Sequence, residues 1–515
     1  AASVYGGAAG PLSEEDASAL GLDTASMGSS PYTSLLTSPA AAITATGNTV
    51  TITGGTIGNV WGGYAADITE TEDDSDSSSE NVSVAAVMSV AALEEDTTTT
   101  TTTTTYNSGN ASGNTVNYYG GTVTGDITGG YSQSGTANDN IVNLYATLAT
   151  TGNLYGGVGA SEGTGNTLNV YTKDNSAGNL ADFQKLNFYI PGTAKSGDTM
   201  LTVSSSDINM ENVSVNADTS KILYMNPGDF INLVVNTSAI TTDDTTSLGF
   251  IGDNKISDAN FILHEASIKK DGDDSIILYI PEDGKGEIEP DTKLIPENRE
   301  AALAALKNAA GNVLDSALGA ADAAHDDNDG EEAQFTPYAV VSGMDMHYET
   351  GSYIDINGMA ANVGFVKKVK TDAGTDTIMP FIEYGRGSYS SHLDDGARGD
   401  GKNHYTGAGI LVRHDQESGL YYEGAASAGY TKGDFHGKIG NFIGRYESGA
   451  PYITAQAGLG KIYTKDRDTY DVYGKFFWTH LGSDSANIAH QEGTTRYDFD
   501  SVDSYVTRLG MRWTR

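Results

Sequence analysis

The chain has 515 residues, 63 of them glycine and none cysteine, a length that fits two or three domains and a composition that excludes disulfides, thiol catalysis and cysteine-based metal sites. Its formal net charge is −39, unevenly spread: residues 336–515 hold 18 Lys+Arg against 22 Asp+Glu, leaving 11 against 46, a net −35, for everything before them. That polyanionic region lacks the basic footprint of a nucleic-acid binder, and no apolar run is long enough for a helical membrane span.

Residues 1–42 are small and polar and read as a loosely ordered lead-in or the fragment of a cap. They show no charged segment followed by an apolar one, so no signal peptide is visible and the N-terminus reads as processed or cut.

A β-solenoid is expected over 43–182. The phrase Gly47-Asn48-Thr49-Val50-Thr51-Ile52 returns as Gly113-Asn114-Thr115-Val116-Asn117-Tyr118, as Asp139-Asn140-Ile141-Val142-Asn143-Leu144, and as Gly165-Asn166-Thr167-Leu168-Asn169-Val170. Gly-Gly turns such as Gly129-Gly130 and Gly156-Gly157 punctuate the copies. A unit of about 26 residues cannot bury a core alone and must stack on its neighbours. Val50, Ile52, Val116, Tyr118, Val142 and Leu144 then share one inward phase, with Asn and Thr free to ladder between coils. A meandering antiparallel domain is the competing reading. Residues near 67–106 interrupt the first copy with an acidic run at 70–80 and the tract of threonines at 97–105. They read as a disordered loop. Calcium would suit the carboxylates, but the Asp-x-Asp-x-Asp-Gly-x5-Glu spacing is missing.

Residues 183–290 change texture to apolar strands with Gly-Asp turns and prolines, as in Met225-Asn226-Pro227-Gly228-Asp229, and read as the β-rich end of the stack. Residues 296–324 carry a helix signature: Pro296 suits the first turn, Glu297 and Glu300 favour the helix N-terminus, and Leu303, Leu306, Val313, Leu314 and Leu318 form a narrow apolar stripe among alanines. A slim alanine helix just before a barrel suits its lumen; a surface helix is the alternative. Residues 326–332 form an acidic hinge.

From 336 to 515 the pattern is period two. Val472, Phe476 and Trp478 oppose Asp471 and Lys475, while Leu509, Met511 and Trp513 oppose Arg508 and Arg512. Eight candidate strands start near Pro337, Tyr353, Ile378, His404, Leu420, Pro451, Tyr470 and Val502. Their length of about ten residues is that of a tilted strand crossing a bilayer, and Tyr and Trp recur near strand ends as interfacial girdles do. Longer polar loops are expected at 393–403 and 482–495. A soluble half-buried sheet has the same alternation, but a membrane barrel also gives the charged residues a lumen. Glu383, Arg413, Glu423, Asp471, Lys475, Arg508 and Arg512 are its candidate lining, and Gly407, Gly409, Gly458 and Gly460 its small inward positions.

Several strings of this region are similar to the translocator domain of autotransporters of Gram-negative bacteria. They are Met379-Pro380-Phe381-Ile382-Glu383-Tyr384-Gly385-Arg386, His404-Tyr405-Thr406-Gly407-Ala408-Gly409, Asp471-Val472-Tyr473-Gly474-Lys475-Phe476-Phe477-Trp478 and Phe499-Asp500-Ser501-Val502-Asp503-Ser504. The resemblance implies an all-β protein with a parallel solenoid passenger, a linker helix through the lumen and a twelve-stranded antiparallel outer-membrane barrel. It also implies outer-membrane lipids and the barrel-assembly machinery as partners, and a passenger on the cell surface. The family's barrel needs about four strands beyond the eight, so the chain reads as truncated at its C-terminus. The expected sheet is open at the strands near Pro337 and Val502 and keeps its helix; a small closed barrel that expels the helix is the other outcome.

No Gly-x-Ser-x-Gly elbow, His-Glu-x-x-His or P-loop occurs, and the nine histidines form no pair at metal-ligand spacing. Neither a cofactor nor an enzymatic passenger is expected. Adhesion to a host or sibling-cell ligand, or self-association, fits a repetitive passenger. An exported enzyme whose catalytic domain lay upstream, and a purely structural stalk, are the alternatives.

Overall fold

The computed structural model describes residues 4–5, 8–9, 44–72, 102–205, 207–222, 224–326, 334–349, 352–490 and 493–515. Most of the lead-in, the acidic run from residue 73 on, and all but the first residue of the hinge lie outside them; the described ends of the insertion expected to be a loose loop instead pair as an antiparallel ladder, Ile68–Glu72 with Thr102–Tyr106. The protein is mostly β and divides into two compact units, residues 1–258 with 263–287 and residues 259–262 with 288–515. No helix among the described residues is long and apolar enough to cross a membrane, which says nothing of strands.

In the first unit, seven strands form one sheet: β1 (Thr49–Ile52), β2 (Thr115–Tyr118), β3 (Ile141–Leu144), β4 (Thr167–Val170), β5 (Lys185–Tyr189), β6 (Ser214–Asp218) and β7 (Ser247–Phe250). All six pairings are parallel and in phase, so Val50, Val116, Val142 and Leu168 fall on one line. Successive residues of a strand point to opposite faces, and the repeated apolar positions take the inner one: Val116, Val142, Leu144, Leu168 and Val170 are 0 % exposed. A second parallel sheet, carrying Val60, Ile127, Leu154 and Leu180, faces the same core. The texture change at Phe183 leaves this pairing intact. β5 joins β4, and the sheet runs on to Phe250 with steps of 18, 29 and then 33 residues in place of 26. The stack is finished by antiparallel pairing, where Phe230–Asn236 meets Ser275–Tyr279 and the latter meets Ser267–Asp271. Antiparallel strands stop the addition of further parallel ones at that edge.

The Gly-Asn turns form a buried ladder. Asn114 Nδ2 donates to Asn140 Oδ1 at 3.0 Å, Asn140 Nδ2 to Asn166 Oδ1 at 3.1 Å, and the backbone N–H of Asn114 and Asn140 reach the same acceptors. The Gly-Gly turns lie against it: a Cβ on Gly130 would sit 2.4 Å from the Ala111 carbonyl and 2.7 Å from Asn140 Nδ2. Asn140→Ala leaves two buried donors of Asn114 without an acceptor, at about 1–3 kcal/mol for each group. The midpoint of chemical unfolding should fall accordingly, and an unchanged midpoint would show the ladder to be energetically idle.

Asp67 stands where the insertion leaves the stack. It accepts from the Ser108 N–H at 2.6 Å and from the Ser134 hydroxyl at 2.7 Å. Partial burial works against its charge, but these donors outweigh it and hold the carboxyl below its ordinary value of 3.8. A depressed folded value means stability that is present above the unfolded range and lost as pH falls through the folded one. Asp67→Asn should therefore lower the melting temperature at pH 7, and the gap to the parent should close as pH falls below about 4. A gap that persists at pH 2 would assign the effect to shape, not charge.

The second unit is a ten-stranded antiparallel sheet and a helix. Eight strands follow in order: β8 (Thr336–Glu349), β9 (Tyr353–Thr371), β10 (Gly374–His392), β11 (Arg398–Gln416), β12 (Leu420–Ile439), β13 (Phe442–Lys465), β14 (Asp468–Leu481) and, after the hairpin β15 (Asp484–His490)–β16 (Gly493–Phe499), β17 (Val502–Thr514). β8 and β17 are the ends of this path and do not pair with each other, so the sheet is a half-barrel open at the two strands expected to be its edges.

The long strands have 13 to 24 residues, not about ten. Ladder pairing continues past the alternating stretch into polar residues, as where Ile439 meets Phe442 around a turn with Gly440 at φ 56°. Both expected loops shrink for the same reason. Leu393–Ala397 is a tight turn closed by Leu393 N–H to the Ala397 carbonyl, and 482–495 is mostly hairpin.

Burial across the sheet is inverted relative to a soluble barrel. Ile382, Ile410, Val412, Ile453, Leu459 and Leu509 are 45–83 % exposed on the outer face, while Glu383, Glu423 and Lys475 are buried on the inner one. Outward aromatics recur eight residues apart on three strands: Tyr422 and Tyr430, Tyr470 and Trp478, Tyr505 and Trp513, all exposed but Trp478, which is half-buried. Register aligns them, since Tyr470 faces Trp513 and Trp478 faces Tyr505.

Candidate functional site

The candidate site is the inner face of the half-barrel with the helix that lies on it. The helix consists of α1 (Glu297–Asn308), a π-helical turn at Ala309–Val313, and α2 (Leu314–Asp326). Pro296 is its N-cap, one position before the first turn where the sequence placed it. Its narrow stripe meets aromatic rings. Ala301 and Ala304 pack on Ile354, Ile356 and Tyr389; Leu306 packs on Tyr405 and Tyr452; Leu314 and Leu318 pack on Tyr338, Met379 and Phe381. Leu303 and Val313 are also buried. Glycines of the sheet make room for those rings. A Cβ on Gly407 would lie 2.2 Å from the Tyr452 hydroxyl, and one on Gly385 2.2 Å from the Tyr405 ring.

Four of the seven candidate lining charges come together around one helix residue, Asp315. Lys475 Nζ lies 2.6 Å from Asp315 and 2.5 Å from Glu423, whose side chain is fully buried. Arg508 approaches Asp315 at 3.5 Å. Arg413 reaches Glu423 at 3.6 Å, forks onto Asp415 at 2.7–3.0 Å and stacks over the Tyr421 ring at 3.8 Å. The Tyr421 hydroxyl donates to Asp471 at 3.0 Å, which ties a fifth residue to the rim of the cluster. In a low-dielectric interior such charges need both partners and hydrogen bonds, and Lys475, Glu423, Arg508 and Arg413 each have at least one opposite charge here.

Two candidates stand apart. Glu383 has no cation beside it and accepts from the Tyr452 hydroxyl at 2.7 Å and the Ser427 hydroxyl at 2.8 Å. Arg512 is exposed, opposite Asp471 in the ladder. The sequence reading missed Asp315 and its companion Asp322, which pairs with Lys368 at 3.0 Å. Their signal was present: Gly311, Asp315 and Asp322 are spaced by four and seven, hence on one helix face. Gly311 is where Arg508 comes closest, since a Cβ there would sit 2.7 Å from its guanidinium, and it lies within the π turn. The helix start is held separately. Arg299 donates to the Gly482 carbonyl at 2.6 Å and the Asp500 carbonyl at 3.1 Å, and the Tyr446 hydroxyl donates to the Ile295 carbonyl.

The cluster joins cations of the sheet to an anion of the helix and offers no nucleophile–base pair. Among the described residues no three His, Asp or Glu side chains gather as a metal site. No protein-family model matches the chain, and no curated protein matches it.

Proposed function

We propose that this chain is an outer-membrane autotransporter: residues 336–515 form the translocator barrel, the helix occupies its lumen, and the parallel stack is a β-solenoid passenger displayed on the cell surface for adhesion or self-association. The observation that carries this reading is the inverted burial of the sheet, apolar side chains outward and charges inward. A hydrocarbon solvent makes that arrangement favourable. The paired aromatics support it. Eight residues span about 26 Å along a strand, or roughly 20 Å of height at the usual tilt, close to the band of about 25 Å between aromatic girdles. In hydrocarbon each unpaired backbone group costs several kcal/mol, so the reading requires the free edges of β8 and β17 to be paired in the membrane. Outer-membrane lipids and the barrel-assembly machinery are the partners it entails, and the passenger works by binding rather than by catalysis.

The test is expression behind an export signal in a Gram-negative host, with outer-membrane fractionation and protease shaving of intact cells. The 336–515 sheet should fractionate with the outer membrane and resist protease, while external protease releases fragments of 47–181. Recovery in the periplasm, or a stack that protease cannot reach, would overturn the proposal.

A further inference from the structure

The seven-stranded parallel sheet has an outer face as ordered as its core. Asn117, Asn143, Asn169, Asn187 and Asn216 form one column on this face, each Nδ2 after the first donating to the Oδ1 of the preceding rung at 2.7–3.1 Å. Two residues along, Tyr119, Tyr145, Tyr171 and Tyr189 stack with ring centroids 4.4–4.6 Å apart and planes within 20°. Ladders of this kind hold strands in register. Here they also lock side chains that, Asn143 apart, are half-buried or exposed and would otherwise be free to rotate, so a ligand meets a face already ordered. Asn216 also exchanges hydrogen bonds with Ser214 and Asn143 is nearly covered, while Asn117, Asn169 and Asn187 keep an amide N–H for a partner.

We propose that this Asn/Tyr face binds a neutral, linear polysaccharide lying along the stack axis; the inference rests on the surface-displayed binding role above. Charge selects the class. The region before residue 336 carries a net −35, which repels sulfated glycans, phosphate polymers and nucleic acids, whereas both columns are uncharged. Spacing selects the polymer. Rungs repeat about every 4.8 Å, while an extended peptide advances about 3.3 Å per residue and presents one side in double steps, out of phase with the rungs. Pyranose rings linked through equatorial bonds advance close to one rung per sugar and turn over at each, so alternate sugars, two rungs apart, meet the same amide and phenol. Hydroxyls then exchange hydrogen bonds with the asparagines, and sugar C–H groups lie along the tyrosine edges.

The full chain in detergent is sedimented with microcrystalline cellulose, with chitin and with heparin beads. It should pellet with at least one neutral polymer and not with heparin. Asn169→Ala with Tyr171→Ala should lower the bound fraction about tenfold with the fold retained by circular dichroism. If that pair unfolds the stack, Asn169→Ser with Tyr171→Phe, which keeps the ring column, should still weaken binding. A parent that stays in the supernatant with both neutral polymers, binds heparin equally well, or is matched by the folded variants overturns the inference. Protease shaving of displaying cells separates the two levels: display without pelleting removes the glycan inference alone, and absence of display removes the wider reading.

Discussion

Lys475→Met is expected to destabilise the half-barrel and its helix by about 3–5 kcal/mol, the cost of breaking a buried ion pair by removing one partner. Lys475 is the bridge between Glu423 and Asp315, and without it two carboxylates face each other with only Arg413 and Arg508 at 3.5 Å or more. Urea unfolding in detergent, followed by tryptophan fluorescence, measures the change. The triple variant Lys475→Met, Glu423→Gln, Asp315→Asn should recover most of the loss, because neutral groups of similar shape remove the repulsion along with the attraction. A Lys475→Met protein within about 0.5 kcal/mol of the parent, the range of an ordinary surface change, would mean the cluster does not clamp the helix.

Val142→Asp is expected to destabilise the stack by several kcal/mol, since a carboxylate would enter an apolar interior without a partner. Val142 is 0 % exposed and sits between Val116 and Leu168 in the ladder. Its neighbour Ile141 points outward between Thr115 and Thr167, so Ile141→Asp should change stability by about 0.5 kcal/mol or less. Thermal unfolding of both variants reads the difference. Equal effects would show that the two faces of β3 are not distinct.

Which face of each strand is buried was legible from the chain because alternation is local. Glu423 and Lys475 on one side, Tyr422 and Phe476 on the other, follow from period two alone. The repeat likewise placed Val142 inside, because four copies share a phase. Strand ends were not legible. Whether Ile439 stays in a ladder depends on Phe442 and Ile443 curling back to meet it, and polar residues there carry no periodic mark. Long-range registration was equally hidden. Nothing near Glu383 announces that its partners are Ser427 and Tyr452, 44 and 69 residues away. Arg512 fits the inward phase yet stays exposed because β17 has a neighbour on one side only. Asp315 was overlooked because attention to an apolar stripe passes over the polar residue beside it.

The 26-residue spacing has a consequence for how such a protein changes over generations. Asn140 meets Asn114 as Asn166 meets Asn140, and Asn143 bridges Asn117 and Asn169 in the same way. Excising one full period, or copying one, brings together surfaces that already match. Recombination between the repeated stretches of the gene therefore yields shorter or taller stacks with intact cores, and length becomes a trait that can drift or be selected without any new side chain.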